Sequence, residues 1–73
     1  MNLSQLNIGE KAVIQGFSDD EISVKLMEMG CIPGEMVKLL KIAPFGDPIS
    51  IWVSGYELSI RKKDASTVLV KEF

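Results

Sequence analysis

Histidine is absent from this 73-residue chain, and cysteine occurs once, as Cys31. The first absence removes the commonest general acid–base side chain and the commonest metal ligand. The second excludes an intramolecular disulfide. Small extracellular domains usually need such staples, so a cytoplasmic setting is expected. No apolar run approaches the roughly 18 residues of a membrane span. The start of the chain also lacks the basic and apolar stretches of a signal peptide, so a protein not inserted in the membrane is expected. The net charge is −2 and the pI is near 4.9. The strong basic excess of a nucleic-acid-binding domain is therefore missing. So are the clustered glycines, lysine and hydroxyl of a phosphate-cradling loop.

What is present points to one folded domain over residues 1–73. The chain is 47% hydrophobic, too apolar for a disordered segment. A chain of this size buries only about 60% of its unfolded surface. Its core supplies about 3–5 kcal/mol of net stability, which is little from which to carve a large cleft. No nucleophile–base pair or carboxylate dyad stands out, so neither an enzyme nor a cofactor is expected.

Local signals give the order of elements. Lys11 to Gly16 is β-rich and reads as a first strand, with Gly16 at a bend or close backbone approach. Ser18 and Glu21 have the spacing of a capping box, and Phe17 and Ile22 that of a hydrophobic staple. Asp19 and Asp20 put negative charge where the helix dipole favours it. Ile22, Leu26 and Met29 form one apolar stripe, and Gly30 supplies the left-handed position that ends a helix. The spacing predicts a helix over 19–29.

Beyond it, Pro33-Gly34 suits a type II turn. Met36 to Ala43 reads as a long strand, and Pro44-Phe45-Gly46-Asp47-Pro48 as a loop. Ile49, Ile51 and Val53 alternate with polar or outward residues, as do Leu58 and Ile60. Gly55-Tyr56 fits a two-residue type II′ turn between them. That register pairs Val53 with Leu58, Ile51 with Ile60, and Trp52 with Ser59 on the outer face. Asp64 to Ser66 reads as a short turn before a last strand over 67–71. Five short strands with a helix after the first predict a mainly β fold, a small bent barrel.

Three segments now resemble one family. Leu26-Met27-Glu28-Met29-Gly30-Cys31-Ile32-Pro33-Gly34 is similar to the helix-end signature of the ferrous iron transport protein A (FeoA) family. Ala43 to Pro48 resembles its central loop, and Leu58 to Ala65 its closing segment. The likeness runs from about Leu6 to Val70. It implies an SH3-like barrel with an inserted helix. It also implies a cytoplasmic accessory protein of bacterial ferrous iron uptake, peripheral to the inner membrane through its partner. The implied partner is the membrane ferrous iron transporter FeoB, with its G-protein domain. Two other readings stand beside it: an iron carrier or sensor, and a small-barrel nucleic-acid or repressor-like module.

The candidate partner-binding residues are these. Trp52 falls on the outer face of its strand, and tryptophan is enriched at binding hot spots. The competing reading packs it against a loop or the Leu3–Leu6 segment. Phe45 sits at the tip of a loop stiffened by two prolines, either as an exposed anchor or as a plug of the barrel end. Arg61, Lys62 and Lys63 form the one basic run, suited to an acidic partner surface, an anionic membrane face or plain solvation. Met27 points off the core stripe and could add a soft apolar patch. Cys31 reads as a small hydrophobe, since one thiol builds no tetrahedral metal site. No intramolecular metal site is expected. A weak homo-oligomer is one expectation, and at a symmetric contact between two chains adventitious metal would pair Cys31 or acids such as Asp19 and Asp20 across the axis.

Overall fold

The computed structural model describes residues 1–73. A 3-10 turn over Leu3–Gln5 is followed by β1 (Lys11–Phe17), α1 (Asp20–Glu28), β2 (Met36–Ile42), β3 (Ile49–Val53), β4 (Tyr56–Ile60), α2 (Lys62–Ala65) and β5 (Val68–Glu72). The strands form one antiparallel sheet in the order β4-β3-β2-β1-β5. The register shifts between Ile14 and Gly16 on β1 and between Leu39 and Lys41 on β2. Such extra residues bend a strand and increase its twist, so the sheet curls around its own apolar side chains. Gly16 thus marks a bend. A Cβ there would meet nothing within 4 Å, so close approach is not its role.

The core follows the alternation. Ala12 and Ile14, Val37 and Leu39, Ile49, Ile51 and Val53, Ile60, and Val68 and Val70 all point inward and are buried. Leu3, Leu6, Leu26, Cys31 and Ala65 close the ends of this cluster. The N-terminal turn was not expected from sequence. Asn2 accepts the Ser4 N–H while the Gln5 side chain accepts the Asn2 N–H. This brings Asn2 beside Leu69, and Met1 accepts the Val70 N–H at 3.0 Å, so the outer edge of β5 is covered.

The helix is one residue shorter at each end than the 19–29 expectation. Ser18 is not its cap, and the capping box with Glu21 is not formed. The Ser18 N–H is spent on a last sheet-like bond to the Thr67 carbonyl, at 2.8 Å. Asp19 takes the cap instead, its carboxylate accepting the Glu21 and Ile22 N–H groups at 2.9 and 3.4 Å. With the cap moved, the Phe17–Ile22 staple spacing no longer applies, although both side chains pack on the core.

The other end is as the sequence indicates. Gly30 has φ +103°. Its N–H donates to Met27 and that of Cys31 to Leu26, at 3.0 and 2.9 Å, which is a Schellman motif. The Glu35 N–H closes the Pro33-Gly34 turn onto Ile32 at 3.0 Å, with Gly34 at φ +95°.

Three further expectations are corrected. The β3–β4 turn is Ser54-Gly55, not Gly55-Tyr56. Both residues have positive φ, +52° and +84°, the type I′ geometry whose twist matches the flanking strands. Val53 therefore pairs with Tyr56, Ile51 with Leu58, and Trp52 with Glu57. The shift is two residues, so every side chain keeps its face. Asp64 to Ser66 is the end of α2 rather than a bare turn. Its N–H groups at Ala65 and Ser66 reach the carbonyls of Arg61 and Lys62 at 2.9 and 3.0 Å. The last strand runs over Val68–Glu72.

Candidate interaction surface

Trp52 projects from the outer face of β3 and is 43% exposed. Its cross-strand neighbours are Lys38 on β2 and Glu57 on β4. Side chains so paired have Cβ atoms about 4.5–5.5 Å apart, so the ring stands between a cation and an anion. It is not packed away under the N-terminal segment.

Glu57 is the most engaged polar residue of this face. It accepts the Ser50 hydroxyl proton and pairs with the Lys41 ammonium at 3.4 Å. The Ser50 hydrogen bond, and then Lys41, hold its carboxyl below the ordinary glutamate value. Beyond this pair lies an open groove of about 410 Å³, bounded by Lys41, Ile42, Pro44, Pro48 and Glu57. It leads from the Trp52 row to the β2–β3 loop.

Phe45 at the tip of that loop is fully exposed. The reading in which it plugs the barrel end is overturned. Its loop is nonetheless held. Gly46 donates to the Ala43 carbonyl at 2.7 Å, and Ala43 to that of Pro48 at 3.0 Å. The Asp47 carboxylate accepts the Lys62 N–H at 2.9 Å. That last bond ties the loop to the first turn of α2, so Phe45 and the basic run belong to one end of the molecule.

The basic run is less basic than it reads. Arg61 forms an ion pair with Asp64 at 3.2 Å. With Lys63 it also lines a cleft of about 330 Å³ whose other wall carries Asp19, Glu21 and Lys25. Charges of both signs face each other across it. Lys62 and Lys63 are exposed.

Met27 is partly exposed on α1 but stands apart from the loop. The end of α1 meets the β3–β4 turn, where the Ser54 hydroxyl donates to the Gly30 carbonyl at 2.7 Å. The β2–β3 loop lies at the other end of β3, about 13 Å away for four strand residues. Phe45 and the basic run thus share one end of the molecule, while Trp52 lies toward the β3–β4 turn and is linked to the loop through the groove beside Glu57; Met27 lies apart from the loop. Cys31 is fully buried, and burial pushes its thiol up. No three cysteine, aspartate or glutamate side chains gather in metal-holding geometry, and no helix is long and apolar enough to cross a membrane.

Sequence reasoning put Ser50 on this face but missed Glu57 opposite Trp52 and its hydrogen bond from Ser50. The misplaced turn set Trp52 against Ser59. The Ser-Gly dipeptide at 54–55 was the signal that could have corrected it.

Known proteins share this architecture. The FeoA domain family matches residues 1–72. An Fe(2+) transport protein A/Fe(2+) transporter FeoB fusion protein of Porphyromonas gingivalis is 32% identical over 72 residues, which are 97% of this chain and 8% of that protein. The chain therefore spans under a tenth of the length of that relative. The NMR structure of a FeoA-like protein from Clostridium acetobutylicum is 32% identical. It superposes with a TM-score of 0.93 over 100% of this chain and 86% of that one. Stenotrophomonas maltophilia FeoA, described as a procaryotic SH3 domain protein and crystallised with zinc, is 29% identical. Its TM-score is 0.82 over 97% of this chain and 89% of that one. The fold is accordingly the SH3-like barrel that the family resemblance implied. On the family match over residues 1–72 and the whole-chain likeness to its solved members, this chain belongs to the FeoA family.

Proposed function

We propose that this protein is a non-enzymatic accessory of ferrous iron uptake that docks on the cytoplasmic side of a FeoB-type transporter. The observation that carries the reading is the Porphyromonas gingivalis relative, in which transport protein A and FeoB are parts of one chain. Fusion places the two at high effective concentration, which is useful only if they work together. The domain itself supports an interaction role. Its titratable side chains meet in two surface ion pairs, Lys41–Glu57 and Arg61–Asp64, and neither resembles a nucleophile with its base.

The docking surface in this reading runs from Trp52 over the groove beside Glu57 to Phe45, with Arg61, Lys62 and Lys63 at the loop end. Met27 contributes from a second, separate patch. A half-exposed tryptophan and a fully exposed phenylalanine offer large apolar area at little entropic cost, the usual character of hot-spot residues. Docking alters transport only through a higher affinity for one transporter state than for another.

The test is capture of the transporter's detergent-solubilised form, or of its cytoplasmic part, on immobilised chain. Trp52→Ala and Phe45→Ala are each expected to weaken capture about tenfold or more with unchanged circular dichroism. Capture that is strong and indifferent to both substitutions removes this surface from the account. No capture by the unaltered chain removes the docking itself.

A further inference from the structure

Two surfaces of this chain have no partner within it, and their charges are opposite. The first is the solvent face of α1. Val24 and Met27 are 57% and 38% exposed there and lie side by side at i and i+3. Asp20 and Glu28 each stand four residues from Val24, so a carboxylate flanks it along the ridge in both directions. Both are exposed, as is Glu21. None of these carboxylates belongs to either ion pair of the chain.

The second surface is the outer face of the sheet. The register aligns Lys11, Lys38, Trp52 and Glu57 in one row across four strands. In the neighbouring row Val13 lies between Met36 and Lys71, and Lys41 stands opposite Ser50. Four lysines and one glutamate thus surround an apolar centre of Trp52, Met36 and Val13. Lys11, Lys38 and Lys71 take part in no ion pair.

We infer that the chain associates with a second copy of itself head to tail, the α1 face of one copy seated on the outer sheet face of the next. Each surface supplies what the other lacks. The acidic ridge meets lysines, and Val24 and Met27 meet the Trp52 ring, where a thioether makes a favourable aromatic contact. The dimensions agree. Asp20 and Glu28 are about 12 Å apart along the helix, and Lys38 and Lys71, two strand spacings and two residues apart on the sheet, are also about 12 Å apart. Because the two surfaces differ, the contact is heterologous. It leaves one free face of each kind and can extend to a ring or a short chain of copies. The lysine–carboxylate share of the contact is exposed, so salt weakens it. A copy seated on Trp52 also excludes any other partner from that face.

The contact needs no transporter, so its test is independent of the docking reading. Sedimentation velocity of the full chain, from micromolar to millimolar concentration, is expected to show a mass that rises with concentration at low salt and falls back at high salt. Val24→Lys and Lys38→Glu alter exposed or half-exposed positions, one on each surface. Each variant alone is expected to stay monomeric over the whole range. Mixed in equal amounts they are expected to form a heterodimer, since the first retains its sheet face and the second its helix face. Should Val24→Lys disturb the circular dichroism, Glu28→Lys takes its place. A chain that stays monomeric at low salt overturns the inference. So does association that survives the helix substitution, or a mixture that remains monomeric.

Discussion

The Ser54 hydroxyl donates a 2.7 Å hydrogen bond to the carbonyl of Gly30, joining the β3–β4 turn to the end of α1. The Tyr56 hydroxyl does the same for the carbonyl of Met29. A helix leaves its last carbonyls without partners; here a hairpin 27 residues downstream supplies one for Met29 at the cap, and 24 residues downstream a second donor for Gly30 just beyond it. The contact also explains why residue 30 must be small. A Cβ on Gly30 would lie 3.1 Å from both the Cβ and the Oγ of Ser54.

Gly30→Ala is therefore expected to cost more than Gly34→Ala. Both glycines have positive φ, but nothing lies within 4 Å of a Cβ at 34. The backbone strain alone is worth about 1 kcal/mol, and the crowding adds about 1–2 kcal/mol more at 30. Urea midpoints of the two variants decide this. Equal losses would mean that the hairpin yields freely.

The moved helix cap makes a second comparison. Asp19→Ala is expected to lose about 1 kcal/mol, the usual worth of an N-cap side chain. Ser18→Ala is expected to stay within about 0.5 kcal/mol of the parent, because its backbone N–H still bonds Thr67. The opposite ranking in thermal melts would restore Ser18 as the cap.

Cys31 has no exposed surface, and burial raises its thiol pKa. The thiolate is the reacting form, so alkylation by iodoacetamide is expected to be strongly suppressed in the native chain and to appear with unfolding in urea. The linkage has a definite sign. Folding favours the neutral thiol, so the Cys31 contribution is full below the unfolded thiol pKa and is lost as pH rises through the folded one. Native labelling at the rate of a free thiol would place Cys31 at the surface.

Glu57 has the opposite sign. Its folded pKa is lowered, first by the Ser50 hydroxyl and then by Lys41. Its contribution is present above the ordinary glutamate range and is lost as pH falls through the folded value. In an NMR pH titration, Glu57 is expected to titrate below an ordinary glutamate, and Ser50→Ala to move it upward. A Ser50→Ala variant that leaves the midpoint in place would assign the shift to Lys41 alone.

Phe45→Ala is expected to leave stability within about 0.5 kcal/mol of the parent, since a fully exposed ring buries nothing on folding. A melt lowered by several degrees would show the ring packed in solution. Loss of stability would then have to be separated from any loss of binding.

Much of this was legible from sequence where the cause is local. The Gly30 stop, the Pro33-Gly34 turn and the inward faces of the strands rest on backbone φ preferences and on the two-residue strand period. The face of Trp52 survived even a wrong turn, because the register error was an even number of residues. The site was harder to read. Phe45 had two readings of equal standing, and only its surroundings distinguish an anchor from a plug. Arg61-Lys62-Lys63 reads as plain positive charge until Asp64 and the acids of α1 are seen across the cleft.

The absent histidine and the lone cysteine already excluded an intramolecular disulfide and the commonest proton-transfer and metal-ligand chemistry, because residue types that are missing cannot act. The sequence by itself also determined the Pro33-Gly34 turn, the Gly30 helix stop and which strand positions face inward, since these depend on neighbours a few residues apart. Tertiary structure alone decided where Asp19, Ser54 and Glu57 spend their hydrogen bonds. Their partners compete across the fold: Thr67 takes the Ser18 N–H from 49 residues away, and a polar group bonds whichever partner the packed core brings within reach.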